Sequence, residues 1–149
     1  MSASLDANIL LYASDENNPV CRQAREFLRN IVEAGEVFFV AWPTVMAYLR
    51  ISTHPRIFAN PLSYAEAVAN MDTLINCPHI RILTEDEGFW EAYKRSARDV
   101  PTHGNLVPDT HLATILRQHG VNTIYTRDKD FLRYIWLKAV NPFDNHPMG

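Results

Sequence analysis

A chain of 149 residues, 47% of them hydrophobic, can supply one sizeable core, and its length is that of one domain, so residues 1–149 are read as a single domain. A formal net charge of -3 and a pI near 6.0 exclude the broad positive field of a protein that coats nucleic acid, leaving room only for local contacts of that kind. Cys21 and Cys77 form no CxxC pair, the N-terminus shows no secretory leader pattern, and no apolar run nears the roughly 20 residues of a membrane span, so a cytoplasmic chain with two free thiols is expected.

Residues 2–6 read as a short strand that delivers Asp6, and Ala7 to Ala13 as a turn or short helix. Residues 15–18 form the first loop, with Asn18 as N-cap and Pro19 opening a helix that runs to about Glu33 and stops at Gly35. Its apolar face is Ala24, Phe27, Leu28 and Ile31. Residues 36–41 are continuously apolar after Glu36, the pattern of a strand covered on both faces in a parallel sheet.

Pro43 opens a helix over Thr44 to Ser52, and the capping box Ser63-Tyr64-Ala65-Glu66 starts another that runs to about Asn76. Residues 80–83 make the third strand. A second capping box, Thr84-Glu85-Asp86-Glu87, predicts a helix to about Arg98 with Phe89, Trp90 and Tyr93 on its buried side. A polar loop from Asp99 to Val107 leads to Pro108 and Asp109 in the first turn of a helix ending at Gly120. Residues 123–126 are the fourth strand, Lys129 to Tyr134 a short helix, and Ala139-Val140 a last strand before a proline-rich tail. Strands alternating with helices of ten or more residues predict a mostly parallel sheet with helices on both faces.

In such sheets ligands bind beyond the carboxyl ends of the strands, where the strand order reverses. Asp6, Asp109 and Asp128 all belong at that edge if the sheet is wound in this way. An Asp among apolar residues is costly to bury without a positive partner. Several carboxylates in one crevice repel strongly unless a cation joins them. Oxygen donors, with no Cys or His pair at zinc spacing, favour Mg²⁺ or Mn²⁺. Each acid also has an ordinary reading: the helix dipole favours Asp109 in a first turn, and Asp128 fits as the cap of the short helix after it. Arg50, Arg56, Arg127, Lys129 and Arg133 are candidates for phosphate contact, each weighed against a solvated surface or an internal ion pair. Trp42, Trp90 and Trp136 sit at spacings that suit a core better than base stacking.

Four separated blocks carry a resemblance. They are Leu5-Asp6-Ala7-Asn8-Ile9-Leu10-Leu11-Tyr12, Leu49-Arg50 with Thr53-x-Pro55-Arg56, Asn105-Leu106-Val107-Pro108-Asp109-x-His111-Leu112-Ala113, and Thr126-Arg127-Asp128-x-Asp130-Phe131. In order and spacing they resemble a PIN domain, nearest to the VapC-type ribonuclease toxins of toxin–antitoxin pairs. The resemblance implies a PIN-like three-layer α/β/α sandwich, Mg²⁺ or Mn²⁺ held by carboxylates, endonucleolytic cleavage of RNA, a small antitoxin partner and a homodimer. It matches Asp6, Asp109 and Asp128 to the acidic positions, Asn8 to an amide that orients the first of them, and Thr126 to a hydroxyl beside the last, with Asp130 sharing the final acidic role.

One departure stands out: Tyr48 is read at the place of a Glu usual in the family. A Tyr is neutral at pH 7. Either one metal suffices, or Glu85 or Glu87 substitutes, or activity is reduced. The competing reading is accordingly a degenerate PIN domain that binds RNA or a protein without cutting.

Overall fold

The structure, a computed structural model, describes residues 2–144. Its elements run β1 (Ala3–Leu5), α1 (Ala7–Ser14), α2 (Cys21–Ala34), β2 (Phe38–Ala41), α3 (Trp42–Ser52), α4 (Tyr64–Ile75), β3 (Ile80–Leu83), α5 (Phe89–Asp99), α6 (Leu106–Gln118), β4 (Thr123–Tyr125), a 3-10 helix (Lys129–Arg133) and β5 (Lys138–Val140). Part of the expected proline-rich tail lies outside the described residues.

All strand pairs are parallel, in a ladder β1-β4-β5 and a ladder β2-β3. β1 packs beside β2, which brings the two ladders into one layer. Successive strand residues point to opposite faces, and the packing follows that alternation. Ala3, Leu5, Phe38, Val40 and Ile80 join one core with α1, α3 and α4. Ala41, Leu83, Ile124 and Ala139 join the other with Leu112, Ile115 and Leu116 of α6 and with Phe131 and Tyr134. Helices therefore cover both faces of a parallel sheet, the architecture expected from the strand and helix pattern.

Three details differ from expectation. Helix α2 starts at Cys21 with Val20 as its N-cap. Asn18 instead closes the preceding turn, its Oδ1 accepting from the Val20 amide at 3.0 Å. The second capping box does not form: Gly88, at φ 75°, precedes α5, and the Thr84 hydroxyl donates to its neighbour Glu85. Trp90 is 64% exposed and stacks parallel to Tyr93 instead of facing the core.

The tryptophans divide. Trp136 packs against the α6 core and donates from Nε1 to the Ala113 carbonyl at 2.9 Å. Trp42, like Trp90, is exposed. Among the described residues no helix is long and apolar enough to cross a membrane.

Candidate metal centre

The strand ends explain why distant residues meet. Leu5 pairs with Tyr125 in the parallel ladder, so the residues that follow each, Asp6 and Thr126, leave the sheet at the same carboxyl edge. The Thr126 hydroxyl donates to Asp6 Oδ2 at 2.9 Å and accepts from the Asp128 amide at 2.9 Å. One buried hydroxyl thus ties the acid after β1 to the loop after β4. Asp128 in turn caps the 3-10 helix, its Oδ1 accepting from the Asp130 amide at 2.9 Å. The cap reading and the cluster reading of Asp128 hold together.

Asp109 arrives from the first turn of α6. One carboxylate oxygen from each of Asp109, Asp128 and Asp130 can be chosen so that all lie within 4.8 Å of one another. Asp6 adjoins this trio and repels Asp109. Burial pushes the Asp6 carboxyl up from 3.8 to about 6; the Thr126 hydroxyl opposes that rise, the Asp128 charge adds to it, and the amides of Ala7 and Asn8 oppose it. Burial also raises Asp109, from 3.8 to about 7, helped by the charges of Asp128, Asp6 and Asp130. These groups resist ionising together, which is the electrostatic state a divalent cation relieves. The donor set is all carboxylate oxygen and suits a hard cation such as Mg²⁺ or Mn²⁺.

Other candidates are placed differently. Tyr48 is 1% exposed, and its hydroxyl bonds Ser14 Oγ at 2.7 Å and accepts from Asn70 Nδ2 at 2.9 Å, in the core under α1 and α4. It belongs to that polar contact and is not among the clustered carboxylates. Helix α3 contains no acidic residue at all. Glu85 is not among the clustered carboxylates; its Oε1 lies 2.6 Å from His111 Nε2, and that hydrogen bond holds its carboxyl below the usual range. The Asn8 Oδ1 is buried without a hydrogen-bond partner.

Arg127 faces rings, its guanidinium 5.5 Å from the Tyr12 centroid and 5.9 Å from that of Phe143. Arg133 reaches the cluster directly, 3.4 Å from Asp130 Oδ1. The sequence pattern gave Asp130 a lesser role than its geometry does. The signal was the Asp-x-Asp spacing, which lets the first carboxylate cap the second residue's amide while both side chains face one crevice.

The pattern of the family described as "PIN domain" matches residues 3–137. The chain is 34% identical over 143 residues to "Ribonuclease VapC48" of Mycobacterium tuberculosis, covering 96% of this chain and 99% of that one. In fold it is similar to Mycobacterium tuberculosis VapC20, described as a sarcin-ricin loop cleaving toxin, with TM-score 0.64 and 14% identity over 88% of this chain and 93% of the other. It is also similar to a chain in the structure of VapBC2 from Rickettsia felis bound to a DNA fragment from their promoter, with TM-score 0.66 and 14% identity over 93% and 97%.

Proposed function

The chain belongs to the PIN-domain family, and from that premise we propose a cytoplasmic endoribonuclease, dependent on Mg²⁺ or Mn²⁺, that acts as the toxin of a type II toxin–antitoxin pair. Residues 1–149 act as one PIN unit. The observation that carries the reading is the carboxylate cluster at the carboxyl edge of the sheet, supplied from three separate parts of the chain.

Asp6, Asp109 and Asp128 hold the cation, with Asp130 beside them. A divalent ion bound there supplies Lewis acidity towards a phosphodiester and makes a nearby water more acidic. The chain's own part is positioning. Thr126 fixes Asp6 through its hydroxyl and the Asp128 loop through the same oxygen, so the two acids keep their spacing without the ion. The raised carboxyls of Asp6 and Asp109 give up their protons when the charge they face is neutralised.

Two surfaces support the proposed partners. A groove of about 510 Å³ between α1, α2 and α4 is walled by Leu10, Leu28, Val32 and Leu74, with Arg25 and Arg29 among its lining. It fits apolar side chains of a small antitoxin. Trp42 and Met46, one turn apart on α3 and 40% and 54% exposed, form an apolar face suited to a second copy in a homodimer.

The decisive experiment is Asp6→Asn and Asp109→Asn, assayed on RNA with Mg²⁺ and with EDTA. Each substitution is expected to lower cleavage by at least about a hundredfold with the circular dichroism spectrum unchanged, a loss of the size seen when a main electrostatic group is removed. Full activity in either variant, or activity that survives EDTA, would overturn the assignment.

A further inference from the structure

A concavity of about 420 Å³ opens beside the carboxylate cluster, lined by His103, Gly104, Asn105, Leu106, Asp130 and Arg133. Asp130 is shared between the two, so whatever fills the concavity lies against the cutting site. Its volume falls in the range of ordinary small-ligand pockets, roughly 300–1,000 Å³.

The lining is chemically mixed in a way that suits a nucleotide. Asn105 occupies the N-cap of α6 yet makes no side-chain cap hydrogen bond. An N-cap Asn ordinarily spends its oxygen on the helix's own amides; here the amide group remains available to a ligand, with donors and an acceptor together. Gly104, at φ 56°, turns the loop in the left-handed conformation between His103 and Asn105. Leu106 gives an apolar wall and His103 an aromatic ring. Arg133 stands at the junction, its guanidinium held among the described residues by an exposed pairing with Asp130, their side chains 54% and 44% exposed. Such a pairing is worth little, so the guanidinium is free to turn to a phosphate, which it can bind through two parallel hydrogen bonds.

We propose that this pocket receives one unstacked nucleotide of single-stranded RNA next to the scissile phosphate, with its base against Leu106 and His103, its polar edge on Asn105 and its phosphate on Arg133. The inference rests on the ribonuclease reading and deepens it. It assigns the residues that receive and select the base, which must be unpaired, because a paired and stacked base cannot enter a side pocket of this kind.

The test measures binding apart from cutting. Fluorescence anisotropy in EDTA is used to titrate the protein against a fluorescein-labelled single-stranded RNA, the same RNA in a duplex, and four labelled oligonucleotides of a single base each. Arg133→Gln is expected to weaken single-strand binding about tenfold, the usual size for one charged hydrogen-bonding partner. Asn105→Ala is expected to flatten the preference among the four bases. Both positions lie on the surface, so unchanged thermal melting serves as the fold control, and Lys94→Gln on α5 should bind like the parent. In Mg²⁺ the Arg133 variant should show a raised KM with little change in kcat. Equal binding by parent and both variants, or a duplex bound as tightly as the single strand, overturns the pocket. A parent that binds with these differences but cuts no RNA supports the pocket and refutes the ribonuclease reading.

Discussion

Tyr48 shows what a single side chain's direction decides. In a helix each residue turns the side chain by about 100°, so a position read as facing the acidic crevice can face the core instead, as Tyr48 does. Its hydroxyl is satisfied by Ser14 and Asn70, a contact from which a structural role is expected. Tyr48→Phe leaves those partners without the oxygen and should cost about 1–2 kcal/mol, read from urea unfolding, while Mg²⁺-dependent cleavage stays at the parent rate. A large drop in kcat at unchanged stability would return Tyr48 to the active site. The acids were legible because each one stands beside a strand end or helix start that the sequence marks clearly. Which way Tyr48, Asn8 and Arg127 point was not, since that depends on packing from other elements.

At the scale of elements, the two capping boxes separate what the sequence encodes from what the fold overrides. Ser63 accepts from the Glu66 amide at 3.1 Å and its hydroxyl donates to the Glu66 carboxylate at 3.0 Å, and α4 begins at the next residue. Thr84 carries the same signature, yet α5 begins five residues later. The Glu85 side chain is taken by His111, and Gln118 of α6 holds the Asp86 amide and the carbonyls of Asp86 and Glu87. Tertiary bonds to α6 thus claim the segment before it can coil. Ser63→Ala should destabilise the protein by about 1 kcal/mol, whereas Thr84→Ala should stay within about 0.5 kcal/mol; equal losses in thermal or urea unfolding would contradict this account. On α5, Phe89 packs against the core while Trp90, the next residue, faces solvent, and Ser96 is the one fully buried position of the helix.

For the molecule as a whole, parallel winding is what makes a cluster out of residues more than 100 positions apart, and it sets the pH response of the fold. Strand periodicity and helix length made the layered arrangement readable, although the close approach of Asp130 and the pocket beside it depend on turns that no periodicity describes. Asp6 and Asp109 titrate near 6 and 7 in the folded protein against 3.8 as the ordinary value. Between about pH 4 and pH 7 the folded state therefore holds protons that the unfolded chain has released. Stability falls as pH rises wherever the native state binds more protons. In EDTA this contribution is fully present below about pH 4 and is lost as pH climbs through the two folded values. A divalent cation needs the ionised carboxylates, so its stabilisation should grow over the same interval, reaching about 2.7 kcal/mol when the ion stands at a hundred times its Kd. Thermal melting at pH 5 and pH 7.5, each with EDTA and with MgCl₂, checks this. The melting temperature should drop with pH in EDTA, recover with Mg²⁺ mainly at pH 7.5, and lose both effects in the Asp6→Asn, Asp109→Asn double variant. Parallel profiles for parent and double variant would mean that the cluster neither strains the fold nor binds the ion.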